Sequence, residues 1–283
     1  MEKYCTNIDD PNFNIRDKDG KETIMHVYIN PNEGLGNLFR SIFCNYVYCK
    51  NNSDLYNYDL YFKNGPLQLV MNTTCDPSIE EIPVRIISGY QANDNSKVNV
   101  SDYDKKKDCI EFIESKFKDT FLYALDRIEE KLGDFDAIHI RCGDQNSTIE
   151  NPHIRIDETE AIKRLIDIFA LLPNNRKYRL YTDSKIVKDY AEGHLLGDDL
   201  SIFPYDPIHT AYNNKHTWDL VQCLNTTYEF FSFRKAKKIY SFVGQDESLS
   251  TFSMTPAFLY DIPFYLYDGH SIKETNPEHV LRF

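Results

Sequence analysis

Several features that identify common protein classes are missing from this sequence. It has no run of about 18 apolar residues, the length that crosses a bilayer, and residues 1–19 are polar and charged, unlike a signal peptide. Its seven cysteines include no Cys-x-x-Cys pair and no Cys/His zinc spacing. We therefore expect a soluble, cytoplasmic protein with reduced cysteines and no disulfide framework.

Positive charge is also scarce. The sequence has 32 Lys and Arg residues and 44 Asp and Glu residues, which gives a net charge of −12. This balance excludes general affinity for nucleic acid or anionic membranes, so any anion site has to be a local cluster of positive charge. A Gly-Lys-Ser/Thr phosphate loop, a His-Glu-x-x-His motif and a Gly-x-Ser-x-Gly motif are all absent. With 41% hydrophobic residues, the 283-residue chain can nevertheless build the cores of two modest α/β domains.

The stretch AIHIRCGD, residues 137–144, is the most informative part of the chain. Its alternation predicts a buried strand with His139 and Arg141 on one face and apolar side chains on the other. Gly143 permits a sharp turn directly after the strand. Open α/β sheets bind ligands at the carboxyl ends of their strands, where an arginine suits a phosphate or a carboxylate. The stretch therefore predicts an anion site.

A strand, a glycine-containing turn and a helix are predicted near the start of the chain. Residues 24–29 have the pattern of a strand, residues 34–37 (GLGN) form a loop, and residues 38–48 form an apolar helix. By its local chemistry the loop is a tight turn in which Asn37 caps the helix. It does not match a dinucleotide-binding fingerprint, because Phe39 occupies the position of the third glycine.

The rest of the first half contains two more predicted strands, over residues 58–62 and 84–87, and one long amphipathic helix. Apolar residues of that helix recur at intervals of three or four over residues 110–132, and Gly133 ends it. We expect the apolar stripe to pack in the core. Because the buried strand starts directly afterwards, we place a domain boundary here, which gives two domains: residues 1–133 and 134–283.

Helices and strands alternate in the second half, an order that predicts a parallel sheet. Asp157 and Glu160 match a capping box for a helix to about residue 172, and a strand follows over residues 178–181. Three polar residues follow that strand: Thr182, Asp183 and Ser184. Ser184 is expected to cap the next helix.

Hydroxyl side chains are concentrated near the carboxyl end of the chain. After a strand predicted over residues 239–242, residues 248–253 (SLSTFS) form a hydroxyl-rich loop. Thr255 and Pro256 match a helix N-cap followed by proline at the first helical position. Hydroxyls and backbone N–H groups at a helix N-terminus bind anions, so this half carries a second element suited to phosphate.

Three motifs in this order resemble those of the fucosyltransferase superfamily. His139-x-Arg141-x-Gly143-Asp144 is similar to its His-x-Arg-(Arg)-Gly-Asp motif, with Cys142 in the position of the second arginine. The glycine loop resembles its Gly-x-x-Gly-Asn or Gly-Leu-Gly-Asn loop. The hydroxyl-rich segment resembles its Ser-x-Phe-Ser-x-x-x-Ala signature. Together the three motifs cover most of the chain.

The resemblance implies a GT-B architecture, in which two Rossmann-like α/β domains face a cleft. The C-terminal domain would bind the nucleotide sugar, and the N-terminal domain would bind a glycan or glycoconjugate acceptor. The resemblance also implies that fucose is transferred from GDP-fucose to an acceptor hydroxyl with inversion, without a metal ion or another cofactor.

Individual residues take roles from the same resemblance. Arg141 would contact the donor diphosphate and, with Asp144 and Asn37, carry catalysis, while His139 would lie on the nucleobase side of the donor. The other donor-side residues would be Thr182, Asp183, Ser184, Ser250, Thr251, Phe252 and Ser253. The acceptor-side loop would be Gly34, Gly36 and Asn37. A general base is left open among Asp144, Glu150, His153 and Glu33.

Other functions stay open at this point. The donor could be another nucleotide sugar, or the chain could be a non-catalytic carbohydrate or nucleotide-sugar binding module with tyrosines as stacking surfaces. A metal-dependent GT-A glycosyltransferase would use an Asp-x-Asp pair, which occurs at 17/19, 102/104 and 134/136. With 44 acidic residues, such pairs are expected by chance. A phosphoester hydrolase would need a second clustered histidine, which the sequence does not supply.

Overall fold

A computed structural model describes residues 24–29, 34–51, 57–61, 67, 70–72, 84–87, 103–131, 133–143, 156–195, 197, 199–204, 220–245, 247 and 249–278. The chain divides into two compact units: the first is Met1–Glu33 with Asn37–Phe121 and Arg282–Phe283, and the second is Gly34–Gly36 with Leu122–Leu281. Each unit contains a sheet of parallel strands together with helices, which confirms the α/β class. The division at residue 133 and the assignment of donor and acceptor to the two halves stay predictions.

The first unit contains a three-stranded parallel sheet with the strand order β2-β1-β3. The strands are β1 (Ile24–Ile29), β2 (Asn57–Tyr61) and β3 (Val84–Ile87). The sequence predicted all three to within one residue. Between β1 and β2 lies helix α1 (Leu35–Asn51). It buries an apolar stripe with helical spacing, as the sequence predicted: Leu38, Phe39, Ile42, Phe43 and Val47.

The start of α1 differs from the prediction. Leu35, Gly36 and Asn37 already belong to the helix, so only Gly34 of the GLGN segment precedes it, and Asn37 is not its cap. Glycine has low helix propensity, which is why the sequence favoured a loop. Tertiary contacts of Gly36 in the second unit override that preference, as described below.

The single long helix predicted over residues 110–132 is wrong. The structure has two helices, α2 (Tyr103–Ser115) and α3 (Asp119–Glu130). The helical ladder breaks because Phe117 forms an antiparallel bridge with Met71. On either side of the bridge the Asn72 N–H donates to the Lys116 carbonyl at 2.6 Å, and the Lys118 N–H donates to the Val70 carbonyl at 2.8 Å. The apolar stripe still packs in the core, and its buried members include Ile113, Phe117, Phe121 and Leu125.

The second unit contains a six-stranded sheet with the strand order β6-β5-β4-β7-β8-β9. Its strands are β4 (Phe135–Ile140), β5 (Tyr178–Thr182), β6 (Leu200–Ile202), β7 (Ala236–Phe242), β8 (Phe264–Tyr267) and β9 (Ile272–Glu274). All neighbouring strands are parallel except β8 and β9. The central strand β4 is buried along its whole length, which confirms the buried strand predicted at this position.

The helices that follow β4 in this unit are α4 (Glu158–Leu171), α5 (Lys185–His194), α6 (Leu220–Ser232) and α7 (Thr251–Leu259), with a 3₁₀ turn at Phe233–Lys235. The predicted caps of α4 and α5 are confirmed. Asp157 accepts hydrogen bonds from two backbone N–H groups of α4, and Ser184 accepts one from the Val187 N–H. The capping box is only half formed, because the Glu160 carboxylate pairs with Arg164, 2.7 Å away, one turn along α4.

Helix α7 also begins earlier than predicted. Its N-cap is Ser250, so Thr251, Phe252 and Ser253 form its first turn, and the predicted cap Thr255 lies inside the helix together with Pro256. A proline in a helix interior removes a hydrogen bond, which is why the sequence favoured a start at Thr255. The hydroxyl of Thr255 instead makes a tertiary contact, described below.

Candidate active site

The candidate site lies at the carboxyl ends of the parallel strands in the second unit's sheet, which we call the carboxyl edge. β4 pairs with β5 on one side and with β7 on the other, so the segments that follow these three strands are neighbours. Arg141 follows β4 directly, Asp183 follows β5, and α7 follows β7. Gly143 has a φ of 122°, a left-handed value that favours glycine, so the chain turns where the sequence predicted. We refer to this edge as the carboxyl-edge site.

Asp183 fixes the turn after β4 and the arginine within it. One of its carboxylate oxygens accepts the Cys142 N–H at 2.7 Å, and the other accepts the Gly143 N–H at 3.1 Å. The second oxygen also lies 3.0 Å from Nη1 of Arg141, and the two side chains are only 7% and 15% exposed. An ion pair that is largely withdrawn from water and bonded to the same turn holds the guanidinium in a defined position.

Cys142, at the position of the second arginine of the motif, contributes no charge to the site. Its side chain is buried, and burial together with the nearby Asp183 carboxylate raises the pKa of its thiol well above the usual value. The thiol therefore stays protonated at neutral pH and is no nucleophile. Arg141 is thus the cationic side chain that this motif delivers.

Thr182 and Ser184 have structural contacts. The Thr182 hydroxyl accepts the Ser184 N–H at 3.2 Å, and the Ser184 hydroxyl donates to the Glu158 carboxylate at 2.6 Å. Both side chains are essentially fully buried, at 1% and 0% exposure. These contacts shape the turn that carries Asp183. Direct contact of either hydroxyl with a donor stays a prediction.

His139 is buried beneath the first turn of α7 and is 3% exposed. Its ring stacks on Phe252 with centroids 5.8 Å apart, and it meets Phe233 edge to face at the same distance. Its Nδ1 lies 3.5 Å from the Ser241 hydroxyl, and the Ser253 hydroxyl donates to the same Ser241 oxygen at 3.2 Å. Together these contacts attach α7 to the carboxyl ends of β4 and β7.

The N-terminus of α7 is suited to a negative charge. Its N-cap residue Ser250 makes no side-chain hydrogen bond to the first-turn amides. The first amides of a helix have no intrahelical acceptor, and the helix dipole adds partial positive charge at this end. Anionic groups bind at such termini. Binding of a donor by Ser250, Thr251, Phe252 and Ser253 stays a prediction.

Gly36 brings the first turn of α1 into backbone contact with the same part of α7. Gly34–Gly36 belong to the second unit, although they precede it in sequence. A Cβ atom on Gly36 would lie 2.4 Å from both the carbonyl carbon and the oxygen of Thr251, and 2.8 Å from the Phe252 nitrogen. The Thr255 hydroxyl donates to the Gly36 carbonyl at 3.0 Å. The side chain of Asn37 is exposed, and its catalytic and acceptor roles stay predictions.

Four candidates for the general base fall outside the described residues: Asp144, Glu150, His153 and Glu33. Among the described residues, no three His, Cys, Asp or Glu side chains cluster as they would around a metal ion, and no helix is long and apolar enough to cross a membrane. The Asp-x-Asp pair at Asp134 and Asp136 lies at the amino end of β4. There Asp136 pairs with Arg176, 3.3 Å away, at the opposite edge of the sheet from Arg141.

Sequence reasoning missed two residues that shape the site. Ser241 links His139 to α7. The signal in the sequence was a hydroxyl between two aromatic residues in the buried second half of β7. The close approach of Gly36 to α7 brings together residues more than two hundred positions apart, and no pattern in the neighbouring sequence predicts such a contact.

Comparison with solved structures finds the same fold in fucosyltransferases. The crystal structure of fucosyltransferase NodZ from Bradyrhizobium aligns over 90% of this chain and 99% of its own, with a TM-score of 0.56 and 11% identity. NodZ alpha-1,6-fucosyltransferase soaked with GDP-fucose aligns over 90% and 99%, with a TM-score of 0.52 and 10% identity. The same enzyme co-crystallized with GDP aligns over 90% and 98%, with a TM-score of 0.50 and 12% identity. No family model and no curated protein matches the chain. At such low identity the likeness shows the fold alone, and the chain has the α/β fold of the GT-B type that the resemblance implied.

Proposed function

We propose that this chain is a glycosyltransferase that transfers fucose from GDP-fucose to a hydroxyl of a glycan acceptor. The observation that carries the proposal is the placement of Arg141, which Asp183 holds at the carboxyl-edge site, on the edge that also receives the first turn of α7. A guanidinium group and a helix N-terminus on one edge suit a diphosphate. The fold supports sugar transfer as the reaction, and the NodZ structures that share it were obtained with GDP-fucose and GDP.

In the proposed reaction the acceptor oxygen bonds to the anomeric carbon while the bond from that carbon to the β-phosphate oxygen breaks. GDP leaves with the bonding electrons, and the acceptor hydroxyl gives its proton to a base. Because negative charge grows on the departing diphosphate, a pre-positioned arginine stabilises the transition state more than the ground state. Attack from the face opposite the leaving group inverts the anomeric configuration.

In the proposed mechanism His139 holds the first turn of α7 in place. Its buried ring packs against Phe252, and Ser241 lies between its Nδ1 and the hydroxyl of Ser253. These contacts fix the first turn of α7, whose backbone amides are the proposed partners of the diphosphate. Contact between His139 and the nucleobase is the further role that we propose from the motif.

A second candidate function is transfer from another nucleotide sugar. It is favoured by Cys142, which puts a neutral, buried thiol where the fucosyltransferase motif has a second arginine. One fewer positive charge leaves Arg141 and the α7 amides to hold the diphosphate. The motif therefore departs from the fucosyltransferase pattern at the position closest to Arg141, and this departure is the observation that favours a donor other than GDP-fucose.

Release of GDP from GDP-fucose in the presence of a panel of glycan acceptors tests the proposal. GDP-mannose and a UDP-sugar serve as competing donors, and EDTA is present throughout. We expect acceptor-dependent GDP release from GDP-fucose, reduced about a hundredfold or more in Arg141→Ala, the scale for losing one pre-positioned donor at a developing charge. Turnover of a UDP-sugar alone, or turnover that requires added Mn²⁺, would contradict the proposal.

A further inference from the structure

Thr255 makes an unusual hydrogen bond for a threonine inside a helix. Its hydroxyl donates to the carbonyl of Gly36, 219 positions away, at 3.0 Å, and its side chain is 0% exposed. Two other buried threonines, in α6, show the ordinary behaviour. The hydroxyls of Thr226 and Thr227 each donate at 2.8 Å to a carbonyl four residues earlier in their own helix. Thr255 thus connects two helices, whereas the α6 threonines stay within one.

The same two helices also meet backbone to backbone. Gly36 approaches the peptide between Thr251 and Phe252 so closely that a Cβ atom would not fit. Thr255 lies one turn further along α7 from this contact. The hydrogen bond and the missing side chain both involve Gly36, and both hold Gly36 against the first two turns of α7.

We propose that Thr255 is a positioning residue, which fixes Gly36 against the first turn of α7 and thereby sets the position of the α7 amides for the donor diphosphate. This inference rests on the proposed function, since it assigns a task to the same site. Thr255 is buried and acts through the backbone of Gly36 and the α7 turn. Its loss therefore weakens nucleotide binding without removing any group that contacts the reacting atoms.

Two measurements on the full chain test the proposal. Hydrogen exchange without nucleotide measures the exchange rates of the amides of residues 39–42, which donate to the carbonyls of residues 35–38 at the start of α1. Calorimetric titration with GDP reports the dissociation constant. Thr255→Val keeps the shape but loses the hydroxyl, Thr255→Ser keeps the hydroxyl, and Thr227→Val removes an equally buried hydroxyl elsewhere as the matched control.

We expect exchange at residues 39–42 to become faster in Thr255→Val alone, with the GDP dissociation constant raised about tenfold, the scale of one hydrogen bond. Thr255→Ser should restore both values.

Unchanged exchange in Thr255→Val, or an equal change in Thr227→Val, would overturn the contact. Faster exchange with an unchanged GDP affinity would overturn the positioning role. If the wild-type protein does not bind GDP at all, the proposed function fails, while the exchange data still decide whether Thr255 holds α1. If Thr255→Val does not fold, the same two measurements on Gly36→Ala test the contact, because the added Cβ atom would push Gly36 away from α7.

Discussion

Replacing Gly36 by alanine tests the packing of Gly36 against α7 in a way that separates tertiary contact from helix propensity. Gly36 lies in the first turn of α1, and alanine is favoured over glycine in a helix by about 1 kcal/mol. Propensity alone therefore predicts a more stable protein. The added Cβ would lie 2.4 Å from two backbone atoms of Thr251, so backbone would have to move by about 1 Å to reach ordinary contact distance. Overpacking of this kind costs about 1–3 kcal/mol, which outweighs the gain or cancels it.

Gly193 provides the matched control for this experiment. It lies inside α5, and a Cβ atom there would have no heavy atom within 4 Å. Thermal unfolding should therefore show Gly193→Ala at or above the wild-type midpoint and Gly36→Ala below the midpoint of Gly193→Ala, by roughly 2–4 °C per kcal/mol. GDP binding should weaken in Gly36→Ala alone. A Gly36→Ala protein as stable as Gly193→Ala, with wild-type GDP affinity, would refute the close contact between Gly36 and α7.

Two further substitutions test the charges of the second unit. Asp183→Asn removes the carboxylate that holds Arg141 and the Cys142 and Gly143 amides, and we expect GDP affinity to fall about tenfold to a hundredfold, the scale of a charged hydrogen bond. Asp189→Asn, in an exposed ion pair with Lys185, is the control and should bind GDP like the wild type. Asp136 is buried, and burial raises the pKa of its carboxyl above 3.8 despite Arg176. Its ionisation therefore opposes folding at pH values above the raised pKa. This cost begins to shrink as the pH falls below the raised pKa and is gone once the pH is below the pKa of the carboxyl in the unfolded chain. Asp136→Asn should be more stable than the wild type at pH 7, with the difference shrinking towards pH 4. A difference that grows on acidification would show that the ion pair with Arg176 dominates instead.

Features set by local chemistry could be predicted from the sequence. The strand pattern placed β1 and β3 at their observed bounds and β4 to within two residues, because alternation and burial depend on consecutive residues. The caps Asp157 and Ser184 are also local, since each side chain bonds to an amide two or three residues away.

Features set by distant contacts could not be predicted in the same way. The break between α2 and α3 depends on Met71, which pairs with Phe117 across 46 positions of sequence. The starts of α1 and α7 were misplaced for a related reason. Glycine and proline are poor helix residues, yet Gly36 is helical because α7 packs against it, and Pro256 lies inside a helix whose Thr255 is bonded to α1.

The candidate site shows the same division. Arg141 was selected at the end of a predicted strand and Asp183 from the resemblance to the fucosyltransferase motifs. The parallel pairing of β4 and β5 brings the two side chains to 3.0 Å. The buried surroundings of His139 were not predicted, since alternation gives the face of a strand but not which helix covers it.

Calorimetric titration of GDP into the wild type and Arg141→Ala, with EDTA present, tests the central claim most directly. Arg176→Ala is the control, because Arg176 also pairs with an aspartate but lies at the opposite edge of the same sheet. We predict that GDP binds the wild type and the control without metal, and that Arg141→Ala loses this binding while it keeps its fold. Equal GDP affinity in wild type and Arg141→Ala, or binding only after Mn²⁺ is added, would contradict the assignment of Arg141 to the diphosphate.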